Sequence, residues 1–306
     1  MTARRIDALP RVQRALLDWH RRHGMRAPWR EDRDPYHALV AAVMAQQTQM
    51  SRVMPSYDRF IAAFPTLDAL AAASPADVIR VWAGMGYNQR AVRLHRAARQ
   101  VAASGWPRDA AGLTQIDGIG PFTAAIIASF AFGDAAACVD TNVRRVLGRL
   151  AGDESIDGAP LQALADAAMP PRDPARWNQA LMDYGARVCV TRPKCGECVV
   201  AAHCASRERF AAPRTMVAEG RARYAAAPSR KKREAPFEGS PRYFRGRIID
   251  ALRALPPGAT LPLDALPALI ANGHAAPSPA VTRDLLAALE RAGLATVRND
   301  AASLPE

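Results

Sequence analysis

No stretch of this 306-residue chain approaches the roughly 18–20 consecutive apolar residues that a membrane-spanning helix needs; Ala124 to Phe132 falls far short. The segment Met1 to Pro10 carries charges but no apolar h-region, so no secretory signal is expected. Strand-like alternation is nearly absent before residue 240. Negative charge is scarce: 29 Asp and Glu stand against 41 Lys and Arg, a net of +12. That shortage favours a polyanionic partner, although alone it fits a ribosomal or membrane-surface protein equally well. Cysteines number five, four of them between Cys189 and Cys204 with Cys138 apart. In a reducing compartment such a cluster reads as a metal site rather than as disulfides. Apolar residues make up 49 %, enough to bury a core and exclude global disorder.

Helical spacing of apolar residues runs through 7–23, 34–49, 51–64, 75–83 and 88–104, with Gly and Pro at the joins. Further helices are predicted at 121–132, 140–151, 160–169 and 174–187. Residues 205–247 hold twelve Lys/Arg against four Asp/Glu, including the run Arg230-Lys231-Lys232-Arg233. This is either a solvated linker or a flexible phosphate-binding strap. Three more helices follow (Tyr243–Leu255, Leu263–Gly273, Ser278–Gly293), then an extended Leu294–Val297, which suggests a small winged-helix-like unit. From Ile248 onward that unit has four Arg against six acids, which argues against strong phosphate binding by it. The expected division is therefore 1–205, a basic connection at 206–240, and a unit at 241–306.

Three motifs carry chemistry. In Gly118-Ile119-Gly120-Pro121, two glycines permit a tight turn and Pro121 opens a helix without wasting an N–H. The free amides and positive helix end suit a DNA phosphate, or the motif is an ordinary packing joint. Asp140, in Val139-Asp140-Thr141-Asn142, directly precedes a helical pattern and by itself reads as a helix cap. The cysteines read Cys189-x5-Cys195-x2-Cys198-x5-Cys204, a spacing that fits a four-cysteine zinc site or another metal centre.

Taken in order, Ala27-Pro28-Trp29-Arg30, Val43-Met44-Ala45-Gln46-Gln47-Thr48-Gln49, Gly84-Met85-Gly86-Tyr87, Gly118-Ile119-Gly120, Val139-Asp140-Thr141-Asn142, Trp177–Asp183 and the four cysteines resemble the adenine mismatch DNA glycosylases (the MutY family) of the helix-hairpin-helix, iron–sulfur superfamily. The resemblance spans residue 7 to about 205. It implies an all-α, two-lobed glycosylase fold with a [4Fe-4S] cluster on Cys189, Cys195, Cys198 and Cys204. The family's usual first gap is six residues, so this cluster loop is one residue shorter. Arg187, Arg192 and Lys194 around it would supply phosphate contacts or form a merely solvated basic rim. The implied partner is double-stranded DNA with a mismatch or lesion, bound by a monomer with no membrane role, in the cytoplasm and near the nucleoid. Cys138 reads as a buried apolar residue.

The same resemblance assigns roles. Gln46 or Gln47, with Tyr87, would wedge into the duplex, and Gly118, Gly120 and Asn142 would also lie at the DNA. Trp29, Arg30, Phe122 and Gln179 would form the base pocket, Gln179 reading the adenine edge through an amide that both donates and accepts. Asp140 would stabilise the sugar's developing cation or attack it transiently, then help position water.

Two positions depart from relatives. Where adenine glycosylases place the glutamate that protonates the purine, two residues before Met44, this chain has Ala42. A methyl group transfers no proton, and general-acid help is worth ~10²–10⁴-fold, so adenine excision is expected to be impaired or lost. Two alternatives follow: excision of thymine or uracil opposite guanine, whose bases leave as stabilised anions, or mismatch and lesion binding without chemistry. Phe122 stands where strand-cutting relatives carry a Schiff-base lysine, so any activity is expected to be monofunctional. Residues 241–306 are too short and too helical for the Nudix-like domain many adenine glycosylases carry, so any recognition of the opposite base is expected to come from the catalytic region and the basic connection.

Overall fold

In the computed structural model, residues 9–211 and 237–306 are described. The run Arg230–Arg233 and Met1 to Ala8, most of the stretch read for a secretory signal, lie outside them. Among the described residues no helix is long and apolar enough to cross a membrane. The chain divides into two compact units, each built from separated stretches: residues 1–43 with 105–215, and residues 44–104 with 216–306.

In chain order the helices are α1 (Leu9–His23), α2 (Pro28–Glu31), α3 (Pro35–Ala45), α4 (Met50–Ala63), α5 (Leu67–Ala72), α6 (Pro75–Val81), α7 (Gln89–Ser104), α8 (Ala110–Leu113), α9 (Pro121–Ala131), α10 (Thr141–Ala151), α11 (Gly158–Ala167) and α12 (Pro174–Arg187). After two short 3₁₀ turns come α13 (Arg207–Ala211), α14 (Pro241–Arg253), α15 (Leu266–Ala271) and α16 (Pro279–Arg291), with strands β1 (Leu261–Pro262), β2 (Thr296–Arg298) and β3 (Ala301–Ser303).

The first unit is organised around helices with apolar stripes and helices that are apolar all round. In α1, Val12, Leu16 and Trp19 recur at helical spacing and pack with Val143, Val146, Trp177, Leu181 and Tyr184. Nothing from Thr123 to Phe130 on α9 is exposed, which marks α9 as a central helix. Polar caps set where the helices begin: Asp109, Asp157 and Asp173 each accept a first-turn amide. The hairpin between α8 and α9 turns at Gly118, whose φ of +84° is costly for any residue with a Cβ.

The second unit joins α4–α7 to the C-terminal residues. Ala76, Ile79 and Val92 share one core with Phe244, Ile248, Leu252, Leu285, Leu289 and Leu304. The three C-terminal helices appear close to their expected places, and the expected extended Leu294–Val297 overlaps β2, whereas the sequence missed β1 and β3. Strands β1, β3 and β2 lie antiparallel in that order, with Leu261 and Val297 both opposite Ala302. Asn299 and Asp300 close the β2–β3 hairpin with φ of 50° and 55°, the left-handed pair that a tight hairpin turn requires. Helix, strand, two helices and a hairpin make a winged-helix order.

Candidate active site

Asp140 is the N-cap of α10. Its Oδ1 accepts the Asn142 and Val143 amides at 2.8 and 2.7 Å, and Oδ2 accepts Asn142 Nδ2 at 2.8 Å. The capping role weighed from sequence is therefore present, and it uses one oxygen. The other is held by a single donor in a half-buried residue. Asn142 is fixed in turn, because Arg145 Nη2 donates to its Oδ1 (2.8 Å) and to the Gly185 carbonyl (2.6 Å). Arg145 Nε donates to the Cys189 carbonyl at 2.6 Å. One guanidinium thus links the first cysteine of the loop to the amide that holds the carboxylate.

The segment leading into Asp140 is held by a residue that sequence reasoning passed over. Asn178 on α12 is buried, donates to the Ala136 carbonyl (2.9 Å) and Ser129 Oγ (3.1 Å), and accepts the Cys138 amide (3.0 Å). Gly185, also on α12, was missed as well. A Cβ there would stand 2.6 Å from the Asn142 Cβ and 2.8 Å from its carbonyl oxygen, so only glycine lets α12 approach this closely.

Ala42 is 8 % exposed and lies in an apolar cluster with Ala125, Ile126, Phe130 and Cys138, against which Phe122 and Met182 pack. The structure thus brings Ala42 and Phe122 together. Cys138 is wholly buried, and burial pushes its thiol up to about 12, as befits an apolar filler.

Trp29 is buried on α2. Its neighbour Arg30 is committed to a two-pronged ion pair with Asp183, at 2.8 and 3.0 Å. Asp183 also accepts the Met25 amide (2.7 Å), and His20 Nε2 lies 3.4 Å away without the alignment of a full hydrogen bond. Gln179 sits one turn before Asp183, buried, and its side-chain amide has no hydrogen-bond partner among the described residues.

Gly120 caps α9 with an ordinary φ of −82°, and a Cβ there would meet nothing within 4 Å among the described residues. Neither backbone strain nor internal packing demands glycine at that position, which leaves room for close approach from outside.

In the second unit, Gln47 and Tyr87 both adopt left-handed backbone (φ 52° and 44°), unusual for residues with side chains, and Tyr87 is 50 % exposed. Buried Arg90 joins their two turns. Its Nη1 donates to the Met44 and Gln46 carbonyls (3.0 and 2.6 Å), and its Nη2 donates to Thr48 Oγ1, the Met85 carbonyl and the Gly86 carbonyl (3.2, 3.1 and 3.3 Å). Nothing in the sequence singled out Arg90 from its many neighbouring arginines.

Cys189, Cys195, Cys198 and Cys204 line one cavity of about 330 Å³, counting the solvent at its mouth. Arg149 borders it, donating to the Val190 and Thr191 carbonyls (2.7 and 3.0 Å) and lying 3.5 Å from Cys189 Sγ; Tyr184 Oη donates to Cys198 Sγ at 3.1 Å. Among the described residues, no three Cys, His, Asp or Glu groups converge closely enough to hold one metal ion.

Residues 40–166 match the model of the HhH-GPD superfamily of base excision DNA repair proteins. The adenine DNA glycosylase of Mycobacterium tuberculosis is 36 % identical over 249 residues, which cover 78 % of this chain and 77 % of that protein. Among solved structures, a thermostable thymine-DNA glycosylase is 28 % identical with a TM-score of 0.63, covering 66 % of this chain and 98 % of its own. An endonuclease III in a non-covalent DNA complex shares the fold alone, at 20 % identity and a TM-score of 0.58, covering 68 % of this chain and 98 % of that one. Identity at this level over more than three quarters of both proteins places this chain in the adenine DNA glycosylase family, within the HhH-GPD superfamily.

Proposed function

We propose that this chain is a monofunctional glycosylase of base excision repair, directed at adenine mispaired with guanine or 8-oxoguanine, and that Ala42 limits its excision step. The observation that carries this reading is the Asp140 carboxylate, oriented by three donors yet with Oδ2 held by only one. In the reaction the C1′–N9 bond breaks and its electron pair leaves with the base. Asp140 balances the cationic sugar until water adds at C1′ and releases a proton. Gln179, with an unpaired amide, would read the base edge. Phe122 offers no amine, so the product is an abasic site in an intact strand. The catalytic region is read as 1–205 and acts as a monomer on DNA, with 206–240 a basic connection to 241–306. Gly118, Gly120, Gln46, Gln47, Tyr87 and Asn142 are read as the DNA contacts.

Adenine leaves poorly without a proton on its ring, and no acid stands at position 42. The apolar surroundings of Ala42 would favour the neutral, proton-donating form of a carboxyl placed there. Ala42→Glu is therefore expected to raise single-turnover adenine excision from A·G and A·8-oxoguanine duplexes by at least about 100-fold. No gain overturns the adenine reading. The likeness to a thymine-DNA glycosylase, together with Ala42, favours thymine or uracil opposite guanine as the second reading. T·G and U·G duplexes in the same assay decide between them, and tight mismatch binding without product on any duplex would leave a binding protein.

The four cysteines are proposed to hold a [4Fe-4S] cluster. All four thiols line one cavity, the donor set such a cluster takes. A cluster would anchor the loop that presents Arg192 and Lys194. Purified protein is expected to be brown, with about four irons and four sulfides per chain; a colourless, zinc-loaded protein overturns this.

A further inference from the structure

The first helix of the C-terminal unit reaches the turn that carries Tyr87. Arg253 on α14 donates through Nε to the Ile79 carbonyl (2.9 Å) and through Nη2 to Asn88 Oδ1 (2.7 Å). Arg242, at the start of α14, places its guanidinium 5.5 Å from the centre of the Tyr87 ring and 5.3 Å from that of Phe237. Phe237 is also edge-on to Tyr243 at 5.8 Å. Among the described residues, Tyr87 and Phe237 are the only exposed aromatics, at 50 % and 56 %, and both meet at this one arginine.

An exposed ring forgoes the gain of burial, and two such rings gathered on one guanidinium are a surface made to be covered. A cation flanked by aromatic faces already has the geometry of a stacking site for flat, electron-rich rings. The surroundings add positive charge: Arg242, Arg245 and Arg247 precede the first acid of α14, Asp250. The C-terminal unit is acidic on balance only from Ile248 onward, so its cationic end is the one that adjoins Tyr87.

We propose that Tyr87, Arg242 and Phe237 form a stacking platform for an unpaired base of duplex DNA at the lesion, which makes the C-terminal unit part of the DNA-reading surface. The proposal rests on the reading that Tyr87 enters the duplex. Stacking is tolerant of base identity, so the platform senses the unpaired state rather than a particular base.

The test uses the full chain, a labelled duplex with an A·G mismatch, and its fully paired counterpart at one salt concentration. Phe237→Ala and Phe237→Leu are expected to weaken mismatch binding about five-fold or more while paired-duplex binding stays within two-fold. Phe237→Trp, which restores a π face, is expected to keep the parent's affinity. A 2-aminopurine at the unpaired position should be quenched by the parent, and Phe237→Leu or Arg242→Ala should abolish that quenching. Parent-like affinity and quenching in Phe237→Leu overturn the platform, as does an equal loss on both duplexes, which would mark a backbone contact. Tyr87→Ala separates the two levels. Loss with Tyr87→Ala but not with Phe237→Leu confines the failure to the platform; no loss with either overturns the DNA role of Tyr87 on which the platform rests.

Discussion

At the Asp183 carboxylate two opposed effects meet. Burial resists its ionisation, but His20, Arg30 and the Met25 amide outweigh burial and hold it down to about 2. A carboxylate whose native value lies below its ordinary 3.8 adds stability that is fully present above about pH 4 and is lost as pH falls toward 2. That difference is worth about 2 kcal/mol. Asp183→Asn, which strands the buried Arg30 charge, is expected to cost about 3 kcal/mol at neutral pH and to flatten the acid limb of stability between pH 4 and 2. Urea titrations at several pH values check this; an unchanged acid limb would assign the pH dependence elsewhere. The sequence pointed to Asp140 because an acid directly before a helical pattern is a recognisable arrangement, and capping is visible in it. It gave no hint of Asn178, Gly185 or Arg145, because each acts on a partner distant in the chain. A buried asparagine that satisfies a loop backbone looks like any helical asparagine until the loop is seen.

Among the elements, the two turns carrying Gln47 and Tyr87 depend on one side chain. Arg90 satisfies four carbonyls and a hydroxyl from both turns, which supports the costly left-handed backbone at Gln47 and Tyr87. Arg90→Met preserves length and burial but removes the donor shared by the Met44 and Met85 carbonyls, leaving the Gln46 carbonyl to Thr48 Oγ1 and the Gly86 carbonyl to Trp82 Nε1, at a cost of about 3 kcal/mol. It is expected to lower the urea midpoint and to reduce discrimination between mismatched and paired duplexes more than paired-duplex affinity. Unchanged discrimination in a destabilised variant would leave Arg90 a purely structural residue. This clamp also explains a boundary that periodicity missed. Helical spacing suggested 34–49, yet α3 stops at Ala45, where the chain turns toward Arg90. The longer helices were legible because their apolar stripes repeat over several turns. The one-turn helices α2 and α8, the short α5 and the strands of two or three residues are too brief for any period to register.

For the molecule as a whole, sequence composition implied a C-terminal unit set apart by a basic connection, and packing gives that unit a larger part. Its side chains complete the core over Ala76, Ile79 and Val92. A chain ending at residue 236 is expected to lose about 10 °C in thermal midpoint, or to be recovered insoluble, since it bares that apolar face. An unchanged midpoint would show the C-terminal residues to be a detachable appendage. The family and its helical fold were readable from ordered motifs; the grouping of distant stretches into units was not, because no local pattern states which surfaces will meet.

That grouping also bears on how the protein is made. The core over Ile79 and Val92 includes Leu304, so it stays open until that residue has left the ribosome. At 5–20 residues per second the wait is on the order of ten to forty seconds. During it the nascent helices carry a greasy flank with no lawful mate, and the protein's dependence on chaperones should be greatest then.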